Sequence, residues 1–275
     1  MSDDSGKRSP SAPEASESDN VAEEMLRQDT GQVTLAGAWA WAFSGIALAW
    51  SLFQLWIASP LPFMLQFGLV DGVQARALHL TFALVLCFLA FGAVRKAGIR
   101  APSWLDIGLA ILGGFCASYL FWNWDALSQR AGILLEYDVF GVTVPVEVII
   151  GGIGILVLLE AIRRAIGLPL VIVAVVFLIY SLFGQSMPEL ISHRGLSLDR
   201  LVGYQWLTGE AIFGIPIDVT TRFVFLFVLF GALLDRAGAG QYFIDLAFAL
   251  VGRYRGGPAR SEEHTSELQS HAPIS

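Results

Sequence analysis

Apolar residues in this chain come in long runs that charged residues interrupt only at their ends. The first run lies between Asp29 and Asp71, with its apolar part at Leu35–Ala58. Others follow at Ala77–Val94, Ile107–Trp124, Pro145–Ile162 and Ala165–Phe183. Each approaches the ~20 residues that a helix needs to cross ~30 Å of hydrocarbon. Trp39, Trp41, Trp56, Trp104, Trp122 and Trp124 sit at or near the run ends, where amphipathic rings favour the headgroup level. A sixth run, Phe223–Leu234, reaches only ~18 Å as a helix. Extending it back to Ile215 gives a full span but brings Asp218 and Arg222 into the membrane. Its Phe, Val and Leu residues contribute about −3 to −6 kcal/mol to insertion, against about +2.5 to +3.5 kcal/mol for one central charge, so the span remains favourable. Gln241–Gly252, interrupted by Asp245, is a weaker seventh stretch, and Leu196–Leu207 reads as an amphipathic helix with Asp199 and Arg200 on its polar side. The pattern predicts an all-α polytopic transmembrane protein with about six to seven membrane segments.

Composition agrees. Of 275 residues, 55% are hydrophobic and only 15% charged, with a mean hydropathy of +0.62, where a soluble domain has ~25% charged residues. The net charge of −7 belongs to the two ends: residues 1–30 hold eight acids and three bases, and 261–275 hold three acids and neither Lys nor Arg. Residues 1–30 are rich in Ser, Glu, Asp and Pro and predict a disordered tail, with a short interfacial helix at Val21–Gln28. No basic, aromatic-interleaved patch points to nucleic acid. Arg27, Arg95, Lys96, Arg100, Arg163 and Arg164 fall on one side of the first four spans, and Arg76 and Arg130 on the other. This asymmetry predicts a cytoplasmic N-terminus.

Little in the chain suggests covalent chemistry. Cys87 and Cys116 lie in apolar runs, and His79, His193, His264 and His271 are scattered. A nucleophile elbow, a helical zinc-protease pair and a CxxC motif are all lacking, so no catalytic, cofactor or metal residues are assigned and the protein is not read as an enzyme. Gly151, Gly152 and Gly154 lie inside an apolar helix and read as a close-packing face rather than a phosphate loop, and Ala110 with Gly114 offers a similar face. Pro145 and Glu147 suit a helix start, and Glu160 with Arg163 and Arg164 suits a helix end. Asp218 and Arg222, four apart, are the candidate intramembrane pair. The stretch from Phe213 through Gly214 and Pro216, and that at Gly256, Gly257 and Pro258, predict interrupted helices of the kind that build transporter sites.

Three stretches stand together in one order: LLEAIRRAIGLPL at Leu158–Leu170, HRGLSLDRLV at His193–Val202, and GEAIFGIPIDVTTRFVFLFVLFGALLDRAGAGQYFIDLAFALVGRYRGGPA at Gly209–Ala259. They resemble the fused permease of TRAP transporters, in which a four-span small-subunit part precedes a DctM-like large subunit. Glu160, Arg163, Arg164, Gly214, Pro216, Gly231, Gly256, Gly257 and Pro258 fall in the family's pattern, whereas Glu147 stands where Asp would often be expected. The resemblance implies a small-subunit-like part with a connector helix over 31–190 and the start of the large transport part over 191–259. It implies a bacterial inner-membrane secondary transporter without ATP or cofactor, coupled to Na+ or H+. Such a permease receives an organic anion, such as a C4-dicarboxylate, from a periplasmic solute-binding protein. A non-transporting accessory or scaffold subunit is the alternative. An ATP-driven permease would need a cytoplasmic coupling helix, which is not identifiable.

Residues 260–275 leave the pattern, and RSEEHTSELQS resembles the in-frame translation of a sequencing-library adapter. The expectation is an N-terminal fragment with a non-native tail. The family's substrate and ion sites would then follow Ala259, which leaves the transport residues unassigned. The chain alone, reconstituted in liposomes under a sodium or proton gradient, is expected to show no organic-anion uptake above empty vesicles.

Overall fold

The computed structural model describes residues 35–92, 101–130, 134–139 and 142–251. The predicted tail over 1–30, the basic residues Arg27, Arg95, Lys96 and Arg100, the Gly256, Gly257 and Pro258 break, and segment 260–275 lie outside them. The helices are α1 (Ala38–Ala58), α2 (Leu61–Leu65), α3 (Gly72–Ala90), α4 (Trp104–Gln129), α5 (Val146–Ala165), α6 (Leu168–Leu182), α7 (Leu198–Trp206), α8 (Ile215–Val219), α9 (Phe225–Arg236) and α10 (Ala239–Val251). One π-turn, Thr220–Val224, joins α8 to α9. α1, α3, α4 and the continuous stretch Ile215–Arg236 are long and apolar enough to cross a membrane. α5 has 20 residues with charges toward both ends, and α6 has 15 apolar ones. The architecture is that of a helical, polytopic membrane protein. Among the described residues, β1 (Tyr137–Val139) pairs antiparallel with β2 (Val142–Val144), in register Tyr137 to Val144.

Local chemistry sets the helix starts. Asp71 caps α3, accepting from the Gly72 N–H at 2.7 Å while Gln74 reaches back to the Asp71 N–H at 3.1 Å. Ser103 and Asp106 form the same reciprocal cap on α4, the Asp106 N–H donating to Ser103 Oγ at 3.3 Å. Gly167, at φ 125°, makes the sharp connection from α5 to α6.

Two compact units are present among the described residues, one ending at Arg222 and the other starting at Phe223. In the first, α3, α4 and α5 form an antiparallel core in which the start of α4 meets the ends of α3 and α5. α1 packs on α3 with its outer face exposed, as suits a lipid-facing span. α7 keeps Asp199 and Arg200 exposed, as its pattern predicts. Its apolar face, however, packs onto α5 and buries Leu201, Val202 and Trp206. The first compact unit thus includes α7. In the second unit α9 and α10 pack as a helical hairpin around Gly238, with largely exposed apolar side chains.

The α5 glycines explain how α7 docks. A Cβ at Gly151 would lie 2.6 Å from Val202 Cγ1, and one at Gly154 would overlap the Trp206 ring. The slot admits Trp206 completely. Its indole Nε1 donates to the Cys116 carbonyl at 3.0 Å, and its ring meets buried Phe213 edge to face at 5.4 Å. Gly154→Val is expected to expel Trp206, since overpacking costs about 1–3 kcal/mol. In a Cys87→Ser background, Cys116, now 1% exposed, should change from inert to fully labelled by a membrane-permeant maleimide.

Candidate functional site

Among the described residues, the ion pairs of the first unit fall in three clusters. The first joins the end of α5 to the start of α4. Glu160 accepts from Arg163 Nε at 2.7 Å and from Arg164 Nε at 2.7 Å, as the helical spacing suggests. Arg164 then reaches beyond its own helix. Its Nη1 donates to Asp106 at 2.6 Å and to the Phe91 carbonyl at 3.1 Å, and the guanidinium lies 5.0 Å from the Phe88 ring centroid. Both Arg164 and Asp106 are buried. Asp106 carries no local sequence signal as a partner, because 58 residues separate the pair. The topological clue is that both occupy the same end of adjacent antiparallel helices.

The second cluster lies toward the opposite ends of α4 and α5. Glu147, 0% exposed, accepts from Tyr119 Oη at 3.2 Å and the Leu135 N–H at 2.7 Å, and pairs with Arg130 at 2.9 Å. One carboxylate thereby ties α4, α5 and the segment leading into the hairpin.

The third contains the candidate pair. Arg222 Nε donates to Asp218 Oδ1 at 2.8 Å, and Arg76 Nε lies 3.6 Å from the same oxygen. Arg76 also donates to the Phe213 carbonyl at 2.7 Å and the Gly72 carbonyl at 2.9 Å. α3 is thus clamped to the irregular stretch before α8. Gly214 sits at that stretch because a Cβ there would overlap the Glu210 carbonyl, and Pro216 occupies the first turn of α8, where its missing N–H is tolerated. The helix resumes through the π-turn Thr220–Val224, with Asp218 before it and Arg222 within it. Arg222 remains 59% exposed at its side chain. The cluster holds two guanidinium groups around one carboxylate. Gly231 is exposed on α9 with open space beside it.

Residues 153–262 match the sequence model of the tripartite ATP-independent periplasmic transporter, DctM component. Neither curated proteins nor solved structures yield a match to the chain. The DctM match takes in most of α5 and all of α6 to α10, and with them Glu160, Arg163, Arg164, Gly214, Pro216, Asp218, Arg222 and Gly231. The partners Arg76, Asp106 and Arg130 precede it.

Breaking a buried ion pair by removing one partner costs about 3–5 kcal/mol, whereas replacing both by apolar residues is often neutral. Arg164→Met, which leaves the Asp106 carboxylate buried without its counter-charge, is accordingly expected to lower stability by about that amount. Asp106→Leu combined with Arg164→Met should recover most of the loss. Denaturation in mixed micelles, followed by circular dichroism, measures both.

Proposed function

We propose that this protein is a membrane permease component of a TRAP-type secondary transporter. The observation that carries the reading is the DctM match, which falls on a run of apolar helices including an interrupted one. The permease works in the bacterial inner membrane, with its N-terminus in the cytoplasm. It takes an organic anion, such as a dicarboxylate, from a periplasmic solute-binding protein and is driven by a sodium or proton gradient. Interrupted helices supply free backbone groups inside a membrane protein, and transporters use these to hold ions and substrate. The stretch from Thr208 to the π-turn is such an interruption, and Arg76 and Arg222 both face the Asp218 carboxylate there.

A second reading, a non-transporting accessory or scaffold subunit, is favoured by a different observation. The buried acids Asp106 and Glu147 are both neutralised within the first unit, as a static structural part requires.

Binding to a solute-binding protein separates the two. The chain in lipid nanodiscs is expected to retain a ligand-loaded TRAP-type solute-binding protein from the same genome, and to retain the empty form less, as measured by surface plasmon resonance. Equal retention, or none, would leave the scaffold reading.

A further inference from the structure

A cavity of about 1030 Å³ opens where the last turn of α4, the segment before the hairpin, the start of α5 and the outer face of α7 meet. Trp124 and Tyr204 line it, with Leu134 and Val148 as apolar lining. Its charged groups are Glu136, Asp199 and Arg200. Among the described residues, neither Glu136 nor Arg200 forms an ion pair within 4.0 Å. α4 has 26 residues, or ~39 Å of helix against ~30 Å of hydrocarbon. Its final turn therefore stands at headgroup depth, and the tryptophans at 122 and 124 fit that level.

We propose that this cavity binds the headgroup of an ethanolamine phospholipid. Such a headgroup pairs one phosphate with one primary ammonium. Arg200 offers the planar donor fork that suits phosphate. Everything else charged or hydroxylic in the lining can accept. Glu136 and Asp199 are carboxylates, and a hydrogen bond from the Ser197 side chain holds Asp199 below the usual carboxylate range, so it stays anionic. Ser128 and Thr208 already donate their hydroxyl protons to the Asp125 and Tyr204 carbonyls, at 3.0 and 2.7 Å, and Thr208 Oγ1 accepts from the Glu210 N–H at 3.3 Å, so each hydroxyl oxygen keeps a lone pair for a ligand. Three N–H donors on a primary ammonium match this surplus of acceptors, while a choline group has none to give. An anionic headgroup without an amine would face two uncompensated carboxylates. Leu134 and Val148 then receive the glycerol and the upper acyl chain. The site is independent of transport and would be occupied under either reading of function.

The full chain, purified in mild detergent and mixed with equal amounts of dioleoyl phosphatidylethanolamine, phosphatidylcholine and phosphatidylglycerol, tests this by native mass spectrometry. The ethanolamine lipid is expected to be retained about tenfold over each of the others, the ratio that one charge-assisted hydrogen bond supplies. Glu136→Gln with Asp199→Asn should bring its ratio to phosphatidylcholine close to one, and Arg200→Gln should weaken all three lipids. In the Cys87→Ser background, closure of Cys116 to maleimide reports that each variant keeps its fold. Should the double variant open Cys116, Glu136→Gln alone on the exposed pre-hairpin segment gives the same readout. No retained lipid, equal retention of all three, a preference for phosphatidylglycerol, or an ethanolamine preference that survives loss of the carboxylates would each overturn the proposal.

Discussion

A charge buried among membrane helices must find its counter-charge within the protein. In hydrocarbon an unpaired ion costs several kcal/mol, and no solvent is present to relieve it. This requirement organises the first unit. Arg164 is held at once by Asp106, Glu160 and the Phe91 carbonyl, so a single guanidinium fixes the ends of α3 and α5 against the start of α4. Glu147 does the converse near the other end, gathering Tyr119, Arg130 and the Leu135 N–H. The apolar contacts between these two clusters supply packing. The ionic groups decide which helix lies beside which, and in what register.

Close packing supplies the second constraint. Lipid is as apolar as leucine, so helices in it gain by shape rather than by escape from water. The glycines of α5 give up side chains so that Trp206 can enter, and the indole hydrogen bond to the Cys116 carbonyl draws α4 into the same contact. An amphipathic helix that would otherwise float at the bilayer surface becomes a fixed part of the bundle.

The spans were the most legible part of the sequence, because a run of some twenty apolar residues has few other uses. Glu160 with Arg163 and Arg164, and Asp218 with Arg222, could be paired by their helical spacing alone. The α5 glycines announced a close contact without naming the indole that fills it. Asp106, Arg76 and Arg130 were not legible as partners, since each acts across tens of residues and between elements. The hairpin at 137–144 was hidden by its brevity: three residues per strand leave no period to detect. The helix interruption near Gly214 showed through its Gly and Pro, whereas the π-turn that follows it has no such marker.

Fastening α4 and α5 to each other at both extremities resists sliding between them. Displacing α4 by one helical turn, ~5.4 Å, would tear the Arg164 and Glu147 contacts together. This pair, with the end of α3 held by Arg164, behaves as a stator. Any rearrangement within its unit must be absorbed by the irregular backbone between α7 and the π-turn, where Arg76 grips carbonyls rather than a regular helix, and where hydrogen bonds can be exchanged without stranding a buried ion.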